Sequence, residues 1–201
     1  MELTGKNVLV VGLARSGMAA IKVLHRLGAV ITLSESKKKE DIKELPELEK
    51  LGVTVVDQSM QAFEGDYALV VKNPGVPFRS PMMQRLAERN IPVITEIELA
   101  YNVAKPQHYV AITGTNGKTT TSTLVYELLA KAFPGKTHLC GNIGIPLCET
   151  VLENGLMEEG GHYIALEISN FQLVNIDRFR PEAAVILNLT PDHVDFMGSL
   201  D

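Results

Sequence analysis

The sequence predicts an α/β protein built from two successive parallel-sheet domains. Short apolar runs alternate with amphipathic stretches along the 201 residues, a pattern typical of strands joined by helices. Glycine-rich turns stand between strand and helix at residues 12–17 and 114–117. Residues 104–107 contain a proline and show no periodicity, so we place a domain boundary there. We expect a Rossmann-like domain over residues 1–104 and the first part of a P-loop-type α/β domain over residues 105–201.

Strand and helix patterns alternate through the first domain. Apolar runs predict strands, and apolar residues at every third or fourth position predict helices. The predicted strands are residues 7–11, 30–33, 53–56, 67–71 and 93–94, and the predicted helices are residues 18–27, 42–51, 81–89 and 96–103. Strands that alternate with helices in this way predict a parallel sheet.

The second domain continues the alternation. Its predicted strands are residues 110–112, 137–140, 163–167 and 183–189, with one helix after residue 118 and another that ends near residue 152. The last two strands lead into polar segments, residues 167–170 and 188–193. Because ligands of open α/β sheets bind beyond the carboxyl ends of the strands, we expect these polar groups to converge on one ligand.

Residues 112–121 carry the strongest functional signal. Glycines let backbone N–H groups converge on phosphate oxygens, Lys118 adds a positive charge, and the following helix presents its positive end. The predicted phosphate-binding residues are Gly114, Thr115, Asn116, Gly117, Lys118, Thr119 and Thr120. Ile112 stands where the Walker A pattern has its first glycine, so the loop is a shorter variant. A glycine-rich helix start without a ligand is the alternative, but the order of strand, loop and helix favours ATP or GTP.

Several polar side chains near this loop are candidates for metal binding. Either Thr119 or Thr120 can hold Mg²⁺ through its hydroxyl. Glu167 ends a buried strand, where a lone carboxylate is costly unless it is paired or bound to a metal. The segment 192–195, which includes His193, is interpreted either as a helix N-cap or as part of a metal or substrate site. The other histidines, His25, His108, His138 and His162, are predicted to lie on the surface.

The glycine-rich turn of the first domain is a weaker signal. Residues 12–17 approach the dinucleotide fingerprint, but Ala14 replaces the middle glycine that lets backbone approach a pyrophosphate. Glu35 follows the second strand, where an acid that binds ribose would stand. A turn without a ligand, ordinary NAD binding and a modified site for another nucleotide diphosphate all remain open.

Composition excludes several classes of function. The net charge is −5 and no basic stripe carries interleaved aromatics, which argues against a nucleic-acid partner. No apolar stretch is long enough for a membrane span, so we expect a cytoplasmic protein without a membrane partner, and a monomer. Cys140 and Cys148 lack the spacing of a zinc or redox site and are predicted to be reduced packing residues.

Taken together, an ordered set of motifs resembles the Mur ligase family of bacterial cell-wall synthesis. The set comprises residues 12–17, 73–77, 96–99, 114–120, 141–144, 167–173 and 188–195, which covers essentially the whole chain. The resemblance implies an ATP-dependent, ADP-forming ligase that adds D-glutamate to UDP-N-acetylmuramoyl-L-alanine in peptidoglycan synthesis. In that reaction the L-alanyl carboxylate attacks the γ-phosphate of ATP, and D-glutamate captures the resulting acyl phosphate.

The same resemblance implies roles for individual residues. Lys118, Glu167 and His193 are the expected catalytic residues, and Thr119, Thr120, Glu167 and His193 the expected Mg²⁺ ligands. The residues expected to bind the UDP substrate are Arg15, Ser16, Glu35, Ser36, Lys37, Asn73, Pro74, Gly75, Asn142 and His193.

In the family, the central domain continues further and a C-terminal domain closes over ATP. We therefore expect this chain to be a portion of a ligase that has no turnover by itself. The alternative is a non-catalytic module that binds a UDP-sugar or another nucleotide. An NAD-linked oxidoreductase is a third hypothesis, against which Ala14 argues.

Overall fold

A computed structural model describes residues 1–77 and 79–191, which form two parallel sheets flanked by helices. The strands are β1 Asn7–Val11, β2 Val30–Glu35, β3 Thr54–Asp57, β4 Leu69–Lys72, β5 Val93–Thr95, β6 His108–Thr113, β7 Thr137–Gly141, β8 Tyr163–Glu167 and β9 Ala183–Ile186. The helices are α1 Ala14–Arg26, α2 Leu45–Lys50, α3 Pro81–Glu88, α4 Glu96–Val103, α5 Lys118–Ala132, α6 Leu147–Glu153 and α7 Asn170–Leu173. None of the helices in these ranges is long and apolar enough to cross a membrane.

The first sheet has the strand order β3-β2-β1-β4-β5, with every pair parallel. The chain builds outward from β1 to β3 and then returns to the other side of β1 with β4. The order therefore reverses between β1 and β4, and ligands of such sheets bind at this reversal, outside the carboxyl ends of the strands.

The second sheet has the order β7-β8-β6-β9 and is also parallel throughout. The predicted phosphate-binding segment follows the inner strand β6, so the ends of β8 and β9 lie on either side of it. This arrangement confirms the predicted α/β class with two parallel sheets.

Several elements differ in length from the sequence predictions, among them α1, α2 and β9. Helix α1 begins at Ala14 rather than residue 18, because Gly12 takes a φ of +84° and completes the turn within two residues. Helix α2 is shorter than predicted, since Pro46 lies in its first turn and a separate 3₁₀ turn, Lys39–Asp41, precedes it. Strand β9 ends at Ile186 rather than residue 189, and the residues after it turn toward the glycine-rich loop between β6 and α5.

Helix α4 joins the two sheets, and one hydrophobic cluster extends from α1 through α4 to α6. Its buried members include Leu24 from α1, Leu99 from α4 and Val151 from α6. The other face of the first sheet packs separately around Phe63 and α3. The proposed boundary at residues 104–107 therefore follows a helix whose apolar side chains belong to a core shared by both sheets.

The prediction that the isolated histidines lie on the surface is wrong for His162. His162 is only 7% exposed, and its Nδ1 lies 3.0 Å from Nε2 of His138. The backbone N–H of His162 donates to the Gln107 side chain, so the chain before β8 is drawn against the start of β6. Both cysteines are free and buried, as predicted for packing residues.

A buried carboxyl group lies at the junction between α4 and α6. Glu96 is 2% exposed; its Oε1 accepts a hydrogen bond from the backbone N–H of Cys148, and its Oε2 has no partner among the described residues. Burial raises the pKa of Glu96 to about 7, and the nearby Glu149 carboxylate adds to that rise, against the lowering effect of the Cys148 N–H.

We expect the stability of the protein to depend on the titration of Glu96. Because its pKa rises from 4.5 to about 7 on folding, the folded state binds the proton more tightly, and stability falls as pH rises through this window. Relative to E96Q, the wild-type free energy of unfolding is expected to drop by about 1–3 kcal/mol between pH 4.5 and pH 7.5. Urea denaturation at several pH values measures this difference.

Glu153, an exposed glutamate at the end of α6, provides the control. E153Q removes a carboxylate from the surface of α6 and is expected to track the wild type across the same pH range. A constant difference between wild type and E96Q over this range would contradict the prediction.

Candidate functional site

The predicted phosphate-binding segment connects β6 to α5 in a tight loop. Gly117 takes a φ of +82° immediately before α5, and Gly114 takes a φ of +138° at the end of β6. A Cβ at Gly114 would also come within 3.1 Å of the Asn188 backbone. Only glycine meets both demands, so the loop can wrap closely around the start of α5, where free N–H groups and the helix dipole favour an anion.

Asn188, just past β9, holds this loop from the opposite side. Its Oδ1 accepts from the backbone N–H of Asn116 at 2.8 Å, and its Nδ2 donates to the Asn116 carbonyl at 3.0 Å. The backbone N–H of Thr115 donates to the Asn188 carbonyl at 3.1 Å. The sequence placed Asn188 among the polar residues expected to converge on the ligand, but it gave no sign of this contact with the loop.

The side chain of Lys118 lies across the loop. Its ammonium donates to the carbonyl of Gly114 at 2.7 Å and to that of Thr115 at 3.0 Å. An ammonium group carries three donors and turns easily about its terminal bond, so it can transfer these hydrogen bonds to phosphate oxygens that enter the loop.

Glu167 forms the second part of this site, at the end of β8. It is 1% exposed; its Oε2 accepts from the Thr119 hydroxyl at 2.9 Å and its Oε1 from the Asn142 side chain at 2.8 Å. The Asn142 N–H also donates to the Glu167 carbonyl at 2.8 Å. Gly141 makes this approach possible, because a Cβ there would lie 2.2 Å from the Glu167 carbonyl oxygen. The ends of β7 and β8 therefore meet beside the start of α5, and the convergence of the polar residues on one ligand stays a prediction.

The geometry distinguishes between the two candidate threonines. Thr119, and not Thr120, is the residue whose hydroxyl meets the Glu167 carboxylate. A carboxylate and a hydroxyl beside a predicted phosphate-binding loop are the hard oxygen donors that suit Mg²⁺, which would take its remaining ligands from phosphate and water. Residues 1–77 and 79–191 contain no cluster of three or more His, Cys, Asp or Glu side chains that could hold a metal. His193 lies outside the described residues.

The predicted substrate residues of the first domain meet at the reversal of strand order. The Asn73 side chain, just after β4, donates to the Ser16 hydroxyl in the first turn of α1 at 2.9 Å. Its Oδ1 accepts from the backbone N–H of Gly75 at 3.0 Å, which fixes the turn that contains Pro74. A Cβ at Gly12 would come within 3.0 Å of Asn73, so this glycine allows the two loops to touch.

Glu35 supports the loop around it. Its Oε2 accepts from the backbone N–H of Leu13 at 2.7 Å, and its Oε1 accepts from the N–H groups of Ser36 and Lys37 and from the Ser36 hydroxyl. Burial of Glu35 works to raise the pKa of its carboxyl, but these hydrogen bonds outweigh it and lower the pKa. Glu35 therefore stays ionised and joins the ends of β1 and β2.

Lys72 is a further residue of this region that the sequence reasoning missed. It is the last residue of β4 and is 1% exposed, and its ammonium donates to the carbonyls of Asn73 at 3.2 Å and Val76 at 2.8 Å. Burial lowers the pKa of Lys72 to about 8. The only signal in the sequence was a lysine that ends an apolar strand and directly precedes Asn73-Pro74-Gly75.

Arg15, another predicted substrate residue, makes its hydrogen bond in the second domain. It projects from the first turn of α1 toward the second domain, where its Nη1 donates to the Gly144 carbonyl at 2.8 Å. The two candidate sites are thus connected through one side chain.

Two protein-family models match the chain. Residues 6–95 match the Mur ligase MurD-like N-terminal domain, and residues 112–201 match the Mur ligase middle domain. The matched ranges contain both candidate sites, and the linking helix α4 lies between them.

Curated relatives match along nearly the whole chain. A UDP-N-acetylmuramoylalanine--D-glutamate ligase from Geobacillus sp. (strain WCH70) is 42% identical over 196 residues, which are 96% of this chain and 42% of the relative. The ligase of the same name from Enterococcus hirae is 44% identical over 95% of this chain and 41% of its own length. The chain thus spans about two fifths of the length of these relatives.

Solved structures share the arrangement of the two sheets. A UDP-N-acetylmuramate:L-alanyl-gamma-D-glutamyl-meso-diaminopimelate ligase from Neisseria meningitides superposes with a TM-score of 0.56 at 18% identity, over 98% of this chain and 64% of that one. UDP-N-acetylmuramate-alanine ligase MurC from Thermotoga maritima gives a TM-score of 0.51 at 25% identity, over 96% and 44%. Because two Mur ligase family models match consecutive parts of the sequence, residues 6–95 and 112–201, this chain belongs to the Mur ligase family.

Proposed function

We propose that this chain forms the UDP-substrate and ATP-phosphate sites of an ADP-forming ligase that joins D-glutamate to UDP-N-acetylmuramoyl-L-alanine. One observation carries the proposal: Thr119 and Asn142 meet the buried Glu167 carboxylate beside the glycine loop that ends in Lys118. The names of the relatives from Geobacillus sp. and Enterococcus hirae support the choice of substrates.

The second domain would hold the ATP phosphates. Backbone N–H groups at the start of α5 would bind phosphate oxygens, because the N–H groups of Thr115 and Asn116 already donate to Asn188. Lys118 would stabilise the negative charge that spreads over the phosphate oxygens during transfer. Thr119 and Glu167 would hold Mg²⁺, which neutralises phosphate charge when bound. Because phosphoryl transfer depends mainly on such neutralisation and on positioning, this residue set suits the reaction.

The first domain would hold the UDP part of the substrate. The reversal between β1 and β4 places the start of α1, with Ser16, beside the turn at Asn73. The start of the helix favours the diphosphate, and Gly75 and Lys72 keep the facing turn in shape. The far end of the substrate then extends toward the carboxyl ends of the second sheet, where Asn142 lies.

The two threonines of the loop provide a matched pair of variants. T119V removes the hydroxyl that meets Glu167 and is expected to weaken Mg²⁺-dependent ATP binding by about 10-fold or more, on the scale of one charge-assisted hydrogen bond. T120V makes the same chemical change one residue later and is expected to bind as the wild type does. Isothermal titration calorimetry with ATP, with and without Mg²⁺, measures both, and equal losses in the two variants would argue against this site.

A fused polypeptide tests the reaction itself. We would join this chain to the remaining length of the Enterococcus hirae relative and measure phosphate release from ATP. Release that requires both UDP-N-acetylmuramoyl-L-alanine and D-glutamate is the expected result. Exchange of Lys118 for Met should abolish release, because phosphate charge is then left without the ammonium.

The same assay separates the other hypotheses. Nucleotide binding without phosphate release, in a folded fusion, would support a non-catalytic module. Binding of NADH in place of UDP would support the oxidoreductase hypothesis. Phosphate release that requires an amino acid other than D-glutamate would change the assigned substrate.

A further inference from the structure

We propose that Arg15 is a positioning residue that couples the two ligand sites, so that a nucleoside diphosphate in the first domain strengthens ATP binding in the second. The inference rests on the proposed function for the identity of the two ligands. Its structural basis is the 2.8 Å hydrogen bond from Arg15 Nη1 to the Gly144 carbonyl, which joins residues 129 positions apart in the chain.

The first step of the argument concerns the loop that Arg15 contacts. Residues 141–146 close on themselves, because the Gly141 N–H donates to the Ile145 carbonyl at 2.9 Å and residues 140 and 145 form a bridge. The loop is also attached to β8, since the Asn142 N–H donates to the Glu167 carbonyl at 2.8 Å. A displacement of Gly144 is therefore passed to Asn142.

The second step links Asn142 to the ATP side. Its side chain donates to Oε1 of Glu167, and Thr119 donates to Oε2 of the same carboxylate. Glu167 is 1% exposed, so these hydrogen bonds determine which way its lone pairs face. A stable position of the 141–146 loop therefore keeps the carboxylate oriented toward the phosphate-binding loop.

The third step concerns the other end of the contact. Arg15 lies in the first turn of α1, one residue before Ser16, at the helix start where the diphosphate is proposed to bind. A guanidinium carries five N–H donors in a planar fork, so it can donate to a carbonyl and a phosphate oxygen at once. Bound diphosphate would then hold Arg15 in the position in which it contacts Gly144.

A second contact between the domains offers an internal control. Arg26, in the last turn of the same helix, forms an ion pair with Glu158 at 2.7 Å, and both side chains are more than half exposed. Helix α1 rises about 1.5 Å per residue, so this ion pair lies roughly 16 Å from the first turn, away from both sites. It joins the same two domains but makes no contact with the 141–146 loop or Glu167.

The test is a binding cycle on the full chain. Calorimetry measures the Kd of ATP with Mg²⁺ in the absence and the presence of saturating UDP, and the ratio of the two values is the coupling factor. We expect a factor of about 5 or more for the wild type, since couplings between sites typically lie in that range. R15A should reduce the factor to about 1, whatever the Kd of ATP alone becomes, and R26A should retain the wild-type factor.

The outcomes separate the inference from the proposed function. A wild-type factor of 1, or an R15A factor equal to that of the wild type, overturns the coupling role even if both nucleotides bind. Equal losses of coupling in R15A and R26A assign it to general contact between the domains and also overturn the inference. If the folded wild type binds neither nucleotide, the proposed function fails, and the inference fails with it.

Discussion

The buried carboxylate of Glu167 is the constraint on which the second half of the molecule depends. A charge that is 1% exposed is tolerated only when its oxygens accept hydrogen bonds, and here Thr119 from α5 and Asn142 from the end of β7 supply them. These contacts require α5 and the 141–146 loop to sit at the end of β8. The requirement for glycine at position 141 follows from the same crowding, because a side chain there would collide with the Glu167 carbonyl.

Helix α4 plays the corresponding part between the two sheets. Its apolar residues join a core shared with α1 and α6, while its two buried carboxylates bind backbone N–H groups of the second domain. Glu98 alone accepts from three consecutive N–H groups, at residues 177–179. The helix therefore fixes the position of one sheet relative to the other, as the proposed substrate, which would reach from one site to the other, requires.

Sequence reasoning succeeded where a feature is local. Gly114 and Gly117 follow a strand and directly precede a helix, so the strand, the loop and the helix could be predicted, while their phosphate-binding role stays a prediction. It failed where the partner is distant. Asn188 contacts Asn116 across 72 positions, and His162 is buried by contacts with Gln107 and His138 that no local pattern encodes. The starts of α1 and α2 also differ from the predicted ones, because Gly12 forms the turn before α1 and Pro46 lies in the first turn of α2.

The sequence by itself determined the class of fold, the order of strands along the chain, the two glycine-rich turns and the likeness to Mur ligases, because each depends on residue types at short spacing. Only the tertiary structure decided which side chains meet. It brought Thr119 rather than Thr120 to Glu167, buried Lys72 under the Asn73 turn, and directed Arg15 to Gly144 in the other domain. The physical reason is that contacts between residues far apart in sequence set the strand order of a parallel sheet and the packing of helices across it. The strand order and the helix packing in turn determine which loops lie side by side.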